Sequence, residues 1–193
     1  MNGRIDRQGK RFLLSNAGMS YAFEVTETDV PVNLYWGVPL DSIGDLPSPE
    51  IRQSNRHTPA DLTGRKFREL PVFGGKFFDE SALKISYSDG IRGSEFRFSG
   101  EEREGDSLIL TFRESRHAVV LRLRYTLYDR ILERSWTLSN ESTEPVELEN
   151  FASAAWHLPS DVTEWRATHL GGHAHMEACL LYTSPSPRDR TRS

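Results

Sequence analysis

The 193 residues of this chain contain a single cysteine, Cys179, so an internal disulfide framework is excluded. Long apolar runs are missing as well, since no stretch approaches the roughly 20 apolar residues that a membrane-spanning helix needs. Positive charge is not in surplus: 28 acidic residues outnumber 24 basic ones, and the net charge is -4. We therefore expect no nucleic-acid partner and no membrane partner. With no signal-peptide pattern at the N-terminus, the sequence favours a cytoplasmic protein.

Helical periodicity is nearly absent, whereas two-residue alternation runs from Ala82 to Leu158. Its longest example is VVLRLRYTLYDRILERSWTLSN, which predicts an antiparallel hairpin that reverses at Asp129-Arg130. A two-residue and a four-residue loop would both keep the same register. On the nearly all-apolar face this register pairs Leu121 with Leu138, Leu123 with Trp136, Tyr125 with Arg134 and Leu127 with Leu132.

Shorter alternating stretches on both sides of this hairpin predict further strands. The segment from Asp41 to Lys66 has no period and carries three prolines, so we expect a long surface loop there. Many short strands separated by turn signals indicate an all-β, antiparallel sandwich. The stretches concerned are FLLSN, SYAFEV, PVNLYWG, ALKISYSDG, SEFRFSG, DSLILTFRE and VELEN.

Few residues form a pattern that could carry chemistry. No spacing among the 28 acidic residues selects a catalytic carboxylate pair. His169, His173 and His175 are the best metal candidates, but no further ligand completes a zinc site, so we predict no metal and no cofactor. Trp36, beside Gly37 and just before the long loop, is the aromatic best placed to contact a ligand at a rim.

Several stretches, read in order, are similar to one known family. They are VNLYWGVPL, LPVFGGKFFDESALKISYSDG, LRLRYTLYDRILERSWTLSN, LENFASAAWHLP and THLGG. Together they resemble the N-terminal domain of glycoside hydrolase family 36 α-galactosidases over about residues 11–173. The resemblance implies a β-supersandwich of the galactose mutarotase-like kind, which agrees with the strand pattern.

The resemblance also implies a function for a longer parent protein. The parent would be a retaining α-galactosidase that removes terminal α-galactosyl residues with two aspartates on a barrel domain, and it would form a homo-oligomer. This chain would be its non-catalytic N-terminal domain, with no catalytic residue of its own. Trp36 and Arg65 are the positions that the resemblance and the rim argument offer for contact with an α-galactoside in the full-length oligomer.

The C-terminal segment differs from the rest of the chain. CLLYTSPSPRD, Cys179 to Asp189, resembles the in-frame translation of a sequencing-library adapter. We therefore expect an N-terminal extension over 1–10, the sandwich over 11–173, and a disordered, non-native tail over 174–193.

Two other interpretations remain open at the sequence level. An aldose-epimerase-like sandwich would need paired histidines with a carboxylate, for which His117 and His157 are the candidates. A non-catalytic carbohydrate-binding module would use exposed tryptophans.

Overall fold

The computed structural model describes residues 3–46, 68–74, 80–156, 167–170 and 180–183. Within these ranges the one helical element is a 3₁₀ turn, Ile43–Asp45, capped by the Ser42 hydroxyl. The described part of the chain has no helix long and apolar enough to cross a membrane. The strands are β1 (Arg4–Gln8), β2 (Arg11–Ser15), β3 (Ser20–Val25), β4 (Pro31–Gly37), β5 (Leu83–Tyr87), β6 (Phe96–Glu104), β7 (Ser107–Glu114), β8 (Val119–Tyr128), β9 (Ile131–Asn140), β10 (Val146–Phe151), β11 (Ala167–Leu170) and β12 (Leu180–Thr183).

The chain divides into two compact units, Met1–His157 and Leu158–Ser193. In the first unit, β1 to β4 form one antiparallel sheet in chain order. Its first strand lies inside residues 1–10, where the sequence analysis places an extension outside the sandwich. β1 pairs with β2 along its whole length, from Arg4 opposite Ser15 to Gln8 opposite Arg11. This strand has no signal in the sequence, because RIDRQ shows no apolar alternation.

The second sheet joins β6, β7, β8 and β9 in chain order, all antiparallel. The hairpin of β8 and β9 has the register that the sequence predicts, with Leu123 opposite Trp136 and Arg122 opposite Thr137. Its loop is the shorter of the two alternatives, two residues long. Asp129 has a φ of 47°, a left-handed conformation that aspartate tolerates better than most residues.

The hydrophobic core lies between these two sheets. The rings of Phe23 on β3 and Tyr125 on β8 stack with centroids 4.6 Å apart, which joins one sheet to the other. A two-stranded antiparallel pair, β5 with β10, adds Leu83 and Ile85, both fully buried. The fully buried side chains of largest volume are Tyr21, Tyr125, Phe12, Phe23, Phe112, Leu13, Leu14, Leu83, Ile85, Leu108, Leu110 and Leu121.

In the second unit, β11 and β12 form an antiparallel pair, with His169 opposite Leu181. β12 falls within residues 174–193, where the sequence analysis expects disorder. At these four residues the structure differs from that expectation, because Leu-Leu-Tyr-Thr has side chains that favour a paired strand. The other residues of the tail lie outside the described ranges, and so does the part of the predicted loop after Leu46.

Candidate functional site

Four polar side chains meet in the interior of the first unit. Arg134 and Glu69 form an ion pair, with Arg134 Nη1 3.2 Å from Glu69 Oε2, and both side chains are essentially inaccessible to solvent. The Tyr125 hydroxyl donates to Glu69 Oε2 at 3.1 Å, and the Tyr21 hydroxyl donates to Glu69 Oε1. We call Tyr21, Glu69, Tyr125 and Arg134 the Arg134 cluster.

Three parts of the fold bring this cluster together. Tyr21 comes from β3, while Tyr125 and Arg134 lie opposite each other on β8 and β9. Glu69 reaches them because its own segment runs beside β4, where the Glu69 N–H donates to the Pro31 carbonyl at 2.8 Å. The residue before it forms a bridge with Val32. The cluster therefore depends on contacts between residues 48 and 65 positions apart in the chain.

The charges in the cluster are well defined. Burial raises the pKa of Tyr21 and that of Tyr125, so both phenols stay protonated and donate to the Glu69 carboxylate. Burial alone would lower the pKa of Arg134, but the adjoining Tyr125 and Glu69 more than offset this and raise it. Arg134 is therefore a cation at any pH at which the protein is folded.

Two tryptophans stand at the rim of this cluster. Trp36, near the end of β4, is partly buried, and its ring meets the Tyr21 ring edge-on with centroids 6.0 Å apart. Trp156 is 41% exposed, and its centroid is 5.5 Å from that of Trp36. Trp156 also meets Tyr21, at 6.5 Å. We call Trp36 and Trp156 the tryptophan pair; it gives a buried charged cluster an aromatic, partly accessible edge.

A second polar cluster fixes the turn between β7 and β8. The buried Glu114 carboxylate accepts from the backbone N–H groups of Arg116 and His117, each at 2.6 Å, and from that of Glu95 at 3.0 Å. The His117 ring lies between two carboxylates, with Nδ1 3.2 Å from Glu114 and Nε2 3.0 Å from Asp89. All of these groups satisfy one another, which is the pattern of a structural clamp.

A cleft of about 600 Å³ lies among the β3–β4 turn, the 68–74 segment and the loop before β6. Its lining combines the buried Leu70, Phe96 and Phe112 with Arg68 and Arg116. Arg116 donates to the Gly93 carbonyl at 3.1 Å. The lining includes no member of the tryptophan pair or of the Arg134 cluster, so the cleft is a separate feature of the surface.

The family model of the glycosyl hydrolase family 36 N-terminal domain matches residues 29–180 of this chain. The chain belongs to this family. The resemblance noted from the sequence is thereby confirmed, and so is the all-β, antiparallel fold class. No curated protein sequence matches the chain.

Solved structures share the fold of this family 36 domain. The α-galactosidase AgaB from Geobacillus stearothermophilus is similar with a TM-score of 0.62 and 18% identity, over 80% of this chain and 24% of that one. The α-galactosidase from Lactobacillus brevis has a TM-score of 0.61 and 17% identity, over 75% of this chain and 23% of that one. AgaA from Geobacillus stearothermophilus, solved with raffinose, has a TM-score of 0.60 and 18% identity, over 75% of this chain and 24% of that one. The chain thus spans about a quarter of the length of these enzymes.

Some of the candidate site residues selected from the sequence of this family 36 domain lie among the described residues, and others lie outside them. Trp36 lies at the rim described above, while Arg65 lies outside the described residues. His117, a candidate for the epimerase-like alternative, lies in the β7–β8 turn. Its proposed partner for an epimerase site, His157, lies outside the described ranges, as do His173 and His175. Among the described residues no group of three or more histidine, cysteine or acidic side chains could hold a metal.

Sequence reasoning missed Glu69 and Tyr21 as members of a site in the family 36 domain. One signal was present: Arg134 is the charged residue on the otherwise apolar face of the β8–β9 hairpin. A charge on a core face demands a partner, because burial of an unpaired charge is costly. That partner could not be named, since the 28 acidic residues offer no local pattern that selects Glu69.

Proposed function

We propose that this chain is the non-catalytic N-terminal domain of an α-galactosidase whose parent hydrolyses terminal α-galactosyl residues with retention of configuration. The match of the family 36 N-terminal domain model over residues 29–180 carries the proposal. The α-galactosidases with the same fold are about four times longer than the part that they share with this chain. The parent's chemistry is therefore assigned to residues beyond the sandwich.

The carboxylates of the sandwich support a non-catalytic role. Retaining hydrolysis needs two carboxyl groups about 5 Å apart that both face the sugar. The firmly held carboxylates described here are engaged with cationic or donor groups instead. Glu69 pairs with Arg134, Glu114 contacts His117, and Glu149 pairs with Lys84 at 2.7 Å.

The contact of this domain with substrate is also a proposal. Trp36 would stack against an α-galactoside, because the flat apolar face of an indole fits the apolar face of a pyranose ring. Arg65 would reach a sugar site in a neighbouring subunit of a homo-oligomeric parent. A cytoplasmic parent fits a chain with one cysteine, and fractionation of cells that express the parent would test that location.

Hydrolysis of an aryl α-galactoside by the purified 193-residue chain tests the proposal. We expect release of the aryl group at the rate of a heat-denatured sample, since the firmly held carboxylates among the described residues are engaged with cationic or donor groups and do not face a common sugar site. The parent protein, assayed beside it, should cleave the same substrate. Turnover that survives repurification and is abolished by replacement of one acidic residue of this chain would refute the non-catalytic role.

A further inference from the structure

Arg134 connects segments that are remote in sequence. Nη1 donates to the Ala155 carbonyl at 3.3 Å, and Nη2 donates to the Glu69 carbonyl. The same side chain forms the buried ion pair with the Glu69 carboxylate. One guanidinium on β9 thus holds the 68–70 segment on one hand and the residue before Trp156 on the other.

The guanidinium also contacts the indole that follows Ala155. Arg134 Cζ lies 5.6 Å from the centroid of the Trp156 ring and 5.6 Å from that of Trp136. These distances are within the range of cation–π attraction, which is stronger where the cation is shielded from water. Trp156 is therefore held twice, through the backbone before it and through the face of its ring.

A buried arginine is a costly way to gain stability alone. Replacement of a buried ion pair by apolar residues of similar volume is often neutral or stabilising. An apolar side chain could fill the space between the two sheets, but it could not donate to two backbone carbonyls while attracting an indole. The arrangement is thus better suited to the placement of Trp156 than to stability.

We propose that Arg134 is a positioning residue that holds Trp156 against Trp36, so that the two indoles form one platform for a pyranose ring. The ligand class rests on the proposed function, in which Trp36 contacts an α-galactoside. Trp156 is the accessible half of the platform, with 41% of its surface exposed, while Trp36 is anchored in the core through Tyr21. Without Arg134, the 152–156 segment loses its anchors on β9 and the pair separates.

The first readout is spectroscopic and does not depend on sugar. Indoles with centroids 5.5 Å apart couple their excited states, which gives a paired positive and negative circular dichroism band. We expect Trp36→Phe and Trp156→Phe to abolish this band individually. Glu69→Gln/Arg134→Met should abolish it as well, while Glu69→Gln alone, which keeps both carbonyl contacts of Arg134, should retain it.

The double variant is chosen so that no buried carboxylate is left without its cation. Arg122→Met is the matched control, because Arg122 is exposed on the adjacent strand and lies opposite Thr137 on the polar face of the hairpin. A cooperative melt shows that each variant is folded. If Glu69→Gln/Arg134→Met does not fold, Trp156→Phe and Arg134→Lys replace it, since lysine keeps the charge but cannot reach both carbonyls at once.

The second readout is tryptophan fluorescence during titration with raffinose, with galactose as a smaller probe. We expect binding by the unaltered chain, and a loss of at least tenfold in affinity for Trp156→Phe and for Glu69→Gln/Arg134→Met. A coupled band that is unchanged without Arg134 would overturn the positioning role, whatever the sugar does. A band that requires Arg134, together with no response to either sugar, would instead overturn the platform and the sugar contact in the proposed function.

Discussion

At the scale of single residues, the buried pair of Glu69 and Arg134 places two opposite charges in the interior. Each charge is tolerable only because the other is present and because Tyr21 and Tyr125 fill the remaining acceptor positions of the carboxylate. Loss of one partner should therefore cost more than loss of both. This asymmetry distinguishes a working ion pair from two charges that are near each other by chance.

We expect Glu69→Leu to lower the free energy of unfolding by about 3–5 kcal/mol, since it leaves Arg134 buried without a carboxylate. Glu69→Leu/Arg134→Met should regain most of that loss. Urea unfolding, followed by far-ultraviolet circular dichroism, measures both values. A single variant as stable as the double variant would contradict the account.

Glu114 makes stability depend on pH in the acid range. Burial raises the pKa of its carboxyl, but the backbone N–H groups of Glu95, Arg116 and His117 outweigh burial, and the pKa lies below its ordinary value of 4.5. The folded state thus holds the charged form more tightly than the unfolded state does. Its contribution is complete above pH 4.5 and is lost as the pH falls from there through the lowered pKa.

Glu114→Gln should therefore flatten the loss of stability below pH 4.5 and should lower stability at pH 7. Unfolding midpoints in urea, measured from pH 3 to pH 7, test this. Glu144→Gln, at an exposed position between β9 and β10, is the control for the general effect of replacing a glutamate by glutamine. If stability falls equally steeply with pH in Glu114→Gln and in the unaltered protein, the Glu114 carboxylate does not contribute to the pH dependence of stability.

At the scale of elements, the β8–β9 hairpin is the centre of the core. Leu123 is fully buried, whereas Arg122 beside it is exposed. Leu123→Ala should cost about 2–5 kcal/mol through lost burial and the cavity left behind. Arg122→Ala should cost under about 1 kcal/mol. Chemical denaturation of the two variants checks the register, and reversed magnitudes would refute it.

The tip of the same hairpin packs on the turn between β2 and β3. A Cβ atom at Gly18 would lie 2.7 Å from the Asp129 carbonyl oxygen, so the two turns approach more closely than any side chain allows. Gly18→Ala should therefore destabilise the protein by about 1–3 kcal/mol, as overpacking does elsewhere.

Gly100→Ala provides the comparison for this turn contact, because a Cβ atom at Gly100 meets no atom within 4 Å. Thermal unfolding of the two variants separates a steric effect from a general effect of replacing glycine on a strand or turn. A similar melting temperature for both would mean that the two turns can move apart at little cost.

At the scale of the whole molecule, the first unit contains its own hydrophobic core. Among the residues whose burial the structure describes, the buried members of the core cluster lie between Phe12 and Leu127. A chain that ends at residue 157 should therefore melt in one cooperative transition at the temperature of the full chain, within error. Differential scanning calorimetry measures this. A melting temperature lower by several degrees would show that the second unit stabilises the first.

The strand content and the hairpin register could be read from the sequence, because side chains alternate between two faces of a strand. A shift of one residue between β8 and β9 would exchange the apolar and polar faces, so one register is far more stable than its neighbours. Trp36 was selected from its position next to Gly37 and a predicted loop, and its contact with a ligand stays a prediction. β1 could not be predicted from the sequence, because its own residues show no alternation. It is a strand because it pairs with β2.

The candidate site was decided by tertiary structure. Arg134 stood out in the sequence as a charge on an apolar face, but its partner Glu69 is 65 residues away. Its contact with Ala155 spans 21 residues and is also non-local. Contacts of this kind produce no periodic pattern in the sequence, since they depend on which sheets pack against each other and on the distance between those sheets. Alternation fixes which side of a strand is buried, whereas only the packing of one sheet on another decides which buried groups meet.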